Sequence, residues 1–172
     1  NHLTLDTEPA WNRWVDEVAR LTQPDTIHWC DGSDAESATL TAQMLADGTL
    51  IALNPQTHPN CTLHRSNPRD VARVEHVTLI CTNNQDDAGP NNHWMEPAQA
   101  HAKIDALFAG CMKGRTMYVI PYCMGPIDSP LSRCGVAIPD SPYVVANIGI
   151  MTGMGAAALA RTQRARGSFV QG

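Results

Sequence analysis

Apolar positions along this chain recur with two different periods, and the switches between them divide it into helices and strands. Trp11, Trp14, Val15 and Val18 fall at helical spacing ahead of Pro24, with Thr7-Glu8-Pro9 supplying an N-cap and a first-turn proline. Residues 27–30 predict a short strand. Ser33-Asp34-Ala35-Glu36 has the form of a capping box, and Leu40, Met44 and Leu45 then mark the buried stripe of a helix that Gly48 ends. Residues 49–53 return as a strand. Strand, helix and strand in that order favour a parallel or mixed sheet.

The middle of the chain is less regular. Residues 54–60 contain two prolines and predict a loop, and Asn67-Pro68-Arg69-Asp70-Val71-Ala72-Arg73-Val74-Glu75 predicts a capped helical turn or a shaped loop running into a strand over 77–81. Residues 82–97 are polar and carry Asn, Gly and Pro throughout, as a long surface connection would. A helix follows from Pro97 to Phe108, with Ile104, Leu107 and Phe108 on its apolar face. Gly110-Cys111-Met112-Lys113-Gly114 is a polar turn feeding an apolar strand over 117–120, which Pro121 and then Met124-Gly125-Pro126 close. Residues 135–138 predict another strand. Asp140-Ser141-Pro142 opens a helix over 143–151, although 143–146 also fits a strand, and 156–164 is helical by propensity. The fold class predicted is α/β, a mixed sheet with flanking helices.

Composition narrows the function. At 172 residues the chain predicts a single domain, 1–172, large enough to bury about 70% of its unfolded surface. The net charge is -5 and Lys103 and Lys113 are the only lysines, so no basic surface of the kind nucleic acid demands is present. The basic run Arg161, Arg164 and Arg166 reads as the solvated face of a closing helix. Six cysteines in a chain this apolar read as reduced, mostly buried thiols of a cytoplasmic protein rather than a disulfide framework. No stretch reaches the roughly 18 consecutive apolar residues of a membrane span. The start at Asn1 and the apolar Phe169-Val170 near the end read as a piece cut from something longer.

Several chemical motifs are absent or weak. No glycine-rich turn ends in Gly-Lys-Ser or Gly-Lys-Thr, so no P-loop is present. Gly153-Met154-Gly155-Ala156 matches the loose dinucleotide fingerprint but reads better as a tight turn before a helix. Cys61, His64 and His58 are ligand-type side chains at close spacing, yet a structural zinc site would need a second pair. Asp86-Asp87 reads as a solvated pair. Arg73 stands among Val71, Ala72 and Val74, with Glu75 two residues on, and a guanidinium so placed can bind a carboxylate in a bidentate contact worth about 1.5 to 3 kcal/mol. Taken on its residues alone it is an ordinary exposed arginine.

Seven blocks, taken together, change that reading. They are Leu21-Thr22-Gln23-Pro24-Asp25, Asp31-Gly32-Ser33, Leu53-Asn54-Pro55, Asp70-Val71-Ala72-Arg73-Val74-Glu75, Ala88-Gly89-Pro90 through Asn92-His93-Trp94-Met95, the run from Gly110 to Pro126, and Asp140-Ser141-Pro142-Tyr143-Val144-Val145. In this order they resemble the N-terminal domain of the GTP-dependent phosphoenolpyruvate carboxykinases. The resemblance implies conversion of oxaloacetate and GTP to phosphoenolpyruvate, carbon dioxide and GDP, with Mn2+ or Mg2+, in gluconeogenesis. It implies that Arg73 binds the substrate carboxylate and that Glu75 helps hold a mobile lid closed. It also implies that the metal ligands, the nucleotide loop and the lid belong to the remainder of a longer chain, so that this piece by itself would be inactive and bind neither GTP nor metal. The family usually reads Met-Arg-Ile-Met-Thr-Arg-Met-Gly where this chain has Ile148-Gly149-Ile150-Met151-Thr152-Gly153-Met154-Gly155, which weakens a helix there by about 1 kcal/mol per glycine. Those two replacements support an alternative, a non-catalytic binding or assembly module. A nicotinamide-binding fragment built on the Gly153 turn is a third reading.

Overall fold

Strands whose apolar residues alternate between two covered faces make up the centre of the molecule. A computed structural model describes residues 10–68, 74–164 and 170–171. In chain order these form α1 (Ala10–Thr22), β1 (Thr26–Trp29), α2 (Asp34–Ala46), β2 (Ile51–Ala52), β3 (Thr62–Leu63), β4 (Leu79–Ile80), β5 (His93–Trp94), α3 (Pro97–Phe108), β6 (Thr116–Met124), β7 (Arg133–Ala137), α4 (Pro142–Met151), β8 (Gly153–Met154), α5 (Ala156–Arg164) and β9 (Val170–Gln171). Short 3-10 turns occupy Glu75–Val77 and Gln85–Ala88. The Thr7-Glu8-Pro9 helix start lies outside the described residues.

The main sheet runs β1, β6, β7, β9, with β8 also paired to β6. It is mixed: β1 is parallel to β6, β7 antiparallel to β6, β8 antiparallel to β6, and β9 parallel to β7. Along β6 the side chains divide by parity. Met117 and Val119 join Trp11, Val15, Met112 and Val136 in one cluster, on the side of α1 and α5. Tyr118 and Ile120 join Cys30, Leu40, Met44 and Val145 in the other, on the side of α2 and α4. A sheet covered on both faces needs an unbroken apolar run, which residues 117–120 supply.

Pro121 does not close this strand, which continues to Met124. Its missing N–H is tolerated because β1 leaves β6 at Val119 and β8 joins only at Tyr122. Where the two edge strands leave a gap, the Pro121 carbonyl accepts from the Gly155 N–H at 2.9 Å. The end of α1 is likewise fixed by backbone chemistry. Gln23 adopts φ 55°, its N–H donates to Ala19 at 2.9 Å, and Pro24 prevents continuation.

Other expectations are corrected. Residues 49–53 do not complete a strand-helix-strand unit: only Ile51–Ala52 is strand, and it pairs antiparallel with β3 in a separate ladder. Ile51 and Leu63 are both largely exposed, so this ladder has no apolar face that would seat it on the sheet. The strand expected over 77–81 begins as a 3-10 turn and shrinks to β4, parallel to β5. Leu45 is not part of the buried stripe of α2; Leu40 and Met44 are. On α3, Ile104, Leu107 and Phe108 are 45%, 71% and 50% exposed; the helix lies against α1 and buries Ala100, not this expected face. The thiols are free, but Cys61, Cys81 and Cys111 are exposed, each on a loop or beside a short ladder. The region 142–151, open between helix and strand, is a helix, and it runs through Gly149 without a break.

Candidate functional site

Arg73 lies outside the described residues, so the site begins at the residues that follow it. Val74 is extended and leads the 3-10 turn in which Glu75 takes the first position, exposed. The Val77 N–H donates to Val74 at 3.2 Å, the Thr78 N–H donates to Glu75 at 3.1 Å and the Thr78 hydroxyl to Val74 at 2.8 Å, which fixes the direction of the Glu75 backbone. Immediately afterwards β4 pairs with His93–Trp94. Trp94 Nε1 donates to the Thr82 carbonyl at 2.9 Å and Asn92 Nδ2 to the Ala88 carbonyl at 2.7 Å. The segment that follows Glu75 and the 88–95 block, far apart in sequence, therefore share one short ladder through Leu79–Ile80 and His93–Trp94.

A second group of reactive side chains sits where β1 passes into α2. The Ser33 hydroxyl accepts from the Glu36 N–H at 3.1 Å, as a capping box requires. Glu36 does not return the bond to Ser33. Its carboxylate accepts instead from the N–H groups of Asp31 at 3.2 Å and Gly32 at 2.9 Å, and the Ser33 N–H donates to Asp31 Oδ1 at 2.7 Å. The Ser33 hydroxyl, and then this Ser33 N–H, lower the Asp31 carboxyl below the usual range. His28 Nε2 shares a 2.7 Å hydrogen bond with Glu36 Oε1. Burial, and then the charges of Glu36 and Asp31, push the Cys30 thiol up to about 12. A cleft of about 210 Å³ opens beside Glu36, between Leu40 and Ser33 on one wall and Val145, Gly149 and Met154 on the other.

The loop is held from outside by direct backbone contact. Gly32 (φ +74°) and Gly155 (φ +82°) face each other: a Cβ on Gly155 would stand 1.9 Å from the Asp31 carbonyl oxygen, and one on Gly32 2.7 Å from that of Met154. The Ala156 N–H donates to Asp31 at 3.1 Å. The Gly153-Met154-Gly155 motif is thus β8 followed by a tight turn into α5. The N–H groups of Gly155 and Ala156 are bonded to Pro121 and Asp31, so the turn has none there for a phosphate.

The zinc reading of Cys61, His64 and His58 finds no convergence. His64 stacks on Tyr143 with ring centroids 3.9 Å apart and its Nδ1 donates to Thr49 at 2.8 Å, while His58 bonds Thr57 and Cys61 bonds Pro59. The group that sequence reasoning missed is His28, Cys30 and Glu36, whose ligand atoms all lie within 4.8 Å of one another. The signal was present: His-x-Cys puts two donors on one face of a strand, and the third residue of the next helix points back at them. Assigning Glu36 wholly to helix capping hid it.

Residues 13–172 match the phosphoenolpyruvate carboxykinase N-terminal domain family. This chain belongs to that family. Among its relatives are proteins named phosphoenolpyruvate carboxykinase [GTP]. That of Anaeromyxobacter dehalogenans is 56% identical over 148 residues, covering 86% of this chain and 25% of the relative. The Chlamydia trachomatis protein is 51% identical over 154 residues (90% of this chain, 26% of the relative), and the Chlamydia caviae protein 52% identical over 157 residues (91% and 26%). The chain spans about a quarter of the length of these curated relatives. The family's mixed α/β architecture is the one observed. Gly149 and Gly153 meet side chains first: a Cβ at Gly149 would approach Met154 Sδ at 3.1 Å, and one at Gly153 would approach Ile127 at 3.2 Å and the Cys123 carbonyl oxygen only at 3.9 Å.

Proposed function

We propose that this chain is the substrate-binding N-terminal lobe, 1–172, of a GTP-dependent phosphoenolpyruvate carboxykinase. In that enzyme oxaloacetate and GTP become phosphoenolpyruvate, carbon dioxide and GDP. The observation that carries the reading is the family match over residues 13–172, joined to relatives more than half identical whose names state the GTP-dependent activity. Arg73 binds the substrate carboxylate, placed just before the ordered turn that holds Glu75. A planar guanidinium suits this role because two parallel N–H groups meet two carboxylate oxygens, fixing orientation as well as charge. Holding the acid end of oxaloacetate aligns the bond to carbon dioxide and opposes the negative charge that gathers on the enolate. Glu75, exposed and two residues further along the chain, meets the lid when the site closes and excludes water.

GTP and Mn2+ or Mg2+ do not fit the described residues of this lobe. A hard divalent ion prefers oxygen ligands, whereas the converging donor set is a histidine, a buried thiol and one carboxylate. The glycine turn at 153–155 has its N–H groups bonded elsewhere. We assign the metal and nucleotide to the remainder of the enzyme, where they would neutralise the phosphoryl group in transfer. No helix among the described residues is long and apolar enough to cross a membrane. We assign the enzyme to the cytoplasm, with the rest of its own chain as the lobe's partner.

The test is Arg73→Ala in the complete enzyme, with GTP-dependent decarboxylation of oxaloacetate as the readout. The expected result is a rise in KM or a fall in turnover of more than tenfold. Unchanged kinetics would remove Arg73 from the site, and turnover by the 172-residue chain alone would overturn the division of labour.

A further inference from the structure

We propose that His28, Cys30 and Glu36 form a binding site for a borderline-soft divalent cation, of which zinc is the prototype, separate from the metal of the proposed carboxykinase reaction. Three donors of three kinds come together from two elements. His28 and Cys30 stand two residues apart, one at the end of β1 and one just beyond it, and so share a face. Glu36 lies in the first turn of α2 with its carboxylate turned back toward them. Their ligand atoms fall within 4.8 Å of one another, close enough for small side-chain rotations to bring all three to bonding distance from one ion.

The surroundings favour a bound ion over an accidental cluster. Cys30 is buried and the Glu36 side chain is 9% exposed, whereas the His28 side chain is 45% exposed and opens a path from solvent. The carboxylate is already oriented by the Asp31 and Gly32 N–H groups, the outer support that tunes a metal ligand. His28 makes an edge contact with Tyr118, ring centroids 5.6 Å apart, which limits rotation of the imidazole. Three protein ligands leave a fourth tetrahedral position for water or an incoming ligand. On binding, the Cys30 thiol releases its proton to solvent and the thiolate sulfur bonds the ion. A dipositive ion with one thiolate, one carboxylate and a neutral imidazole is then electrically balanced.

Thiol and imidazole donors select against Mg2+ and Ca2+ and toward zinc, cobalt and their neighbours. Chemistry of this kind is independent of the GTP-dependent reaction, and so is its test. Cobalt(II) titrated into the 172-residue chain is expected to bind one equivalent, with tetrahedral visible bands and a near-ultraviolet thiolate-to-cobalt charge-transfer band, all displaced by zinc and untouched by millimolar Mg2+. Cys30→Ser should abolish the charge-transfer band. His28→Gln, at a side chain 45% exposed, should weaken zinc at least tenfold with the far-ultraviolet circular dichroism unchanged. The paired thiols Cys123 and Cys134, with Sγ atoms 3.2 Å apart, are the rival soft site. Cobalt spectra unchanged in Cys134→Ser support the assignment. Absence of cobalt binding at millimolar concentration, equal zinc affinity in His28→Gln, or a band lost with Cys134→Ser and kept in Cys30→Ser would overturn it.

Discussion

Two parts of this molecule are built on opposite terms. At the junction of Asp31-Gly32 with Met154-Gly155, backbone meets backbone with no room for a Cβ, and the loop's N–H groups are bonded within the junction. Among the described residues between 51 and 96 the only strand pairing is in two-residue ladders, with Ile51, Leu63, Val77 and Ile80 exposed. The first region positions elements that must not move relative to the sheet. The second carries Glu75, two residues beyond the arginine proposed to bind substrate, beside two-residue ladders rather than on the buried sheet. Stability is unevenly distributed, and segments that must respond to ligands are drawn from the weaker end.

The largest effect should come from Gly155→Ala. A methyl group 1.9 Å from a carbonyl oxygen, on a residue at φ +82°, forces either β1's exit loop or the start of α5 to move. Urea unfolding should show a loss of at least about 3 kcal/mol, or no folded protein; near-parental stability would show that the junction is looser than described. Next comes Met44→Ala against Ile80→Ala. Met44 is fully buried and should cost about 2–5 kcal/mol, whereas Ile80, 39% exposed on a short ladder, should cost less than about 1 kcal/mol. Equal losses would erase the contrast between the regions.

Ser33→Ala should follow at about 1 kcal/mol, since it removes the acceptor for the Glu36 N–H and leaves the turn to water. The smallest effect concerns acid. Asp31 has its carboxyl lowered by the Ser33 hydroxyl and then by the Ser33 N–H, so its contribution is present at neutral pH and is lost as the pH falls from about 4 through the folded-state value. Asp31→Asn should therefore lose stability less steeply than the parent below pH of about 4. An identical acid limb in both would mean that the carboxylate adds nothing beyond what an amide oxygen supplies.

Local chemistry was legible in advance. Pro97 and the apolar spacing placed α3 at Pro97–Phe108, and propensity placed α5 at Ala156–Arg164. The run at 117–120 announced a strand covered on both faces. What the run could not announce was its length, because whether Pro121 ends a strand depends on whether a neighbour needs its N–H. The apolar face of α3 misled for a related reason: periodicity says which residues share a side, not what lies opposite.

The sequence by itself determined where most helices and strands lie, the turn chemistry that ends α1 and α2, the class of fold, and the family through seven blocks in order. Only the tertiary structure decided that β1 pairs with β6 rather than β2, that Gly32 and Gly155 touch, and that His28, Cys30 and Glu36 converge. The reason is one of range. Propensity, capping and periodicity are set by neighbours within a few residues, whereas strand partners and donor clusters arise from segments that meet only after the chain has closed long loops to bury its two apolar faces.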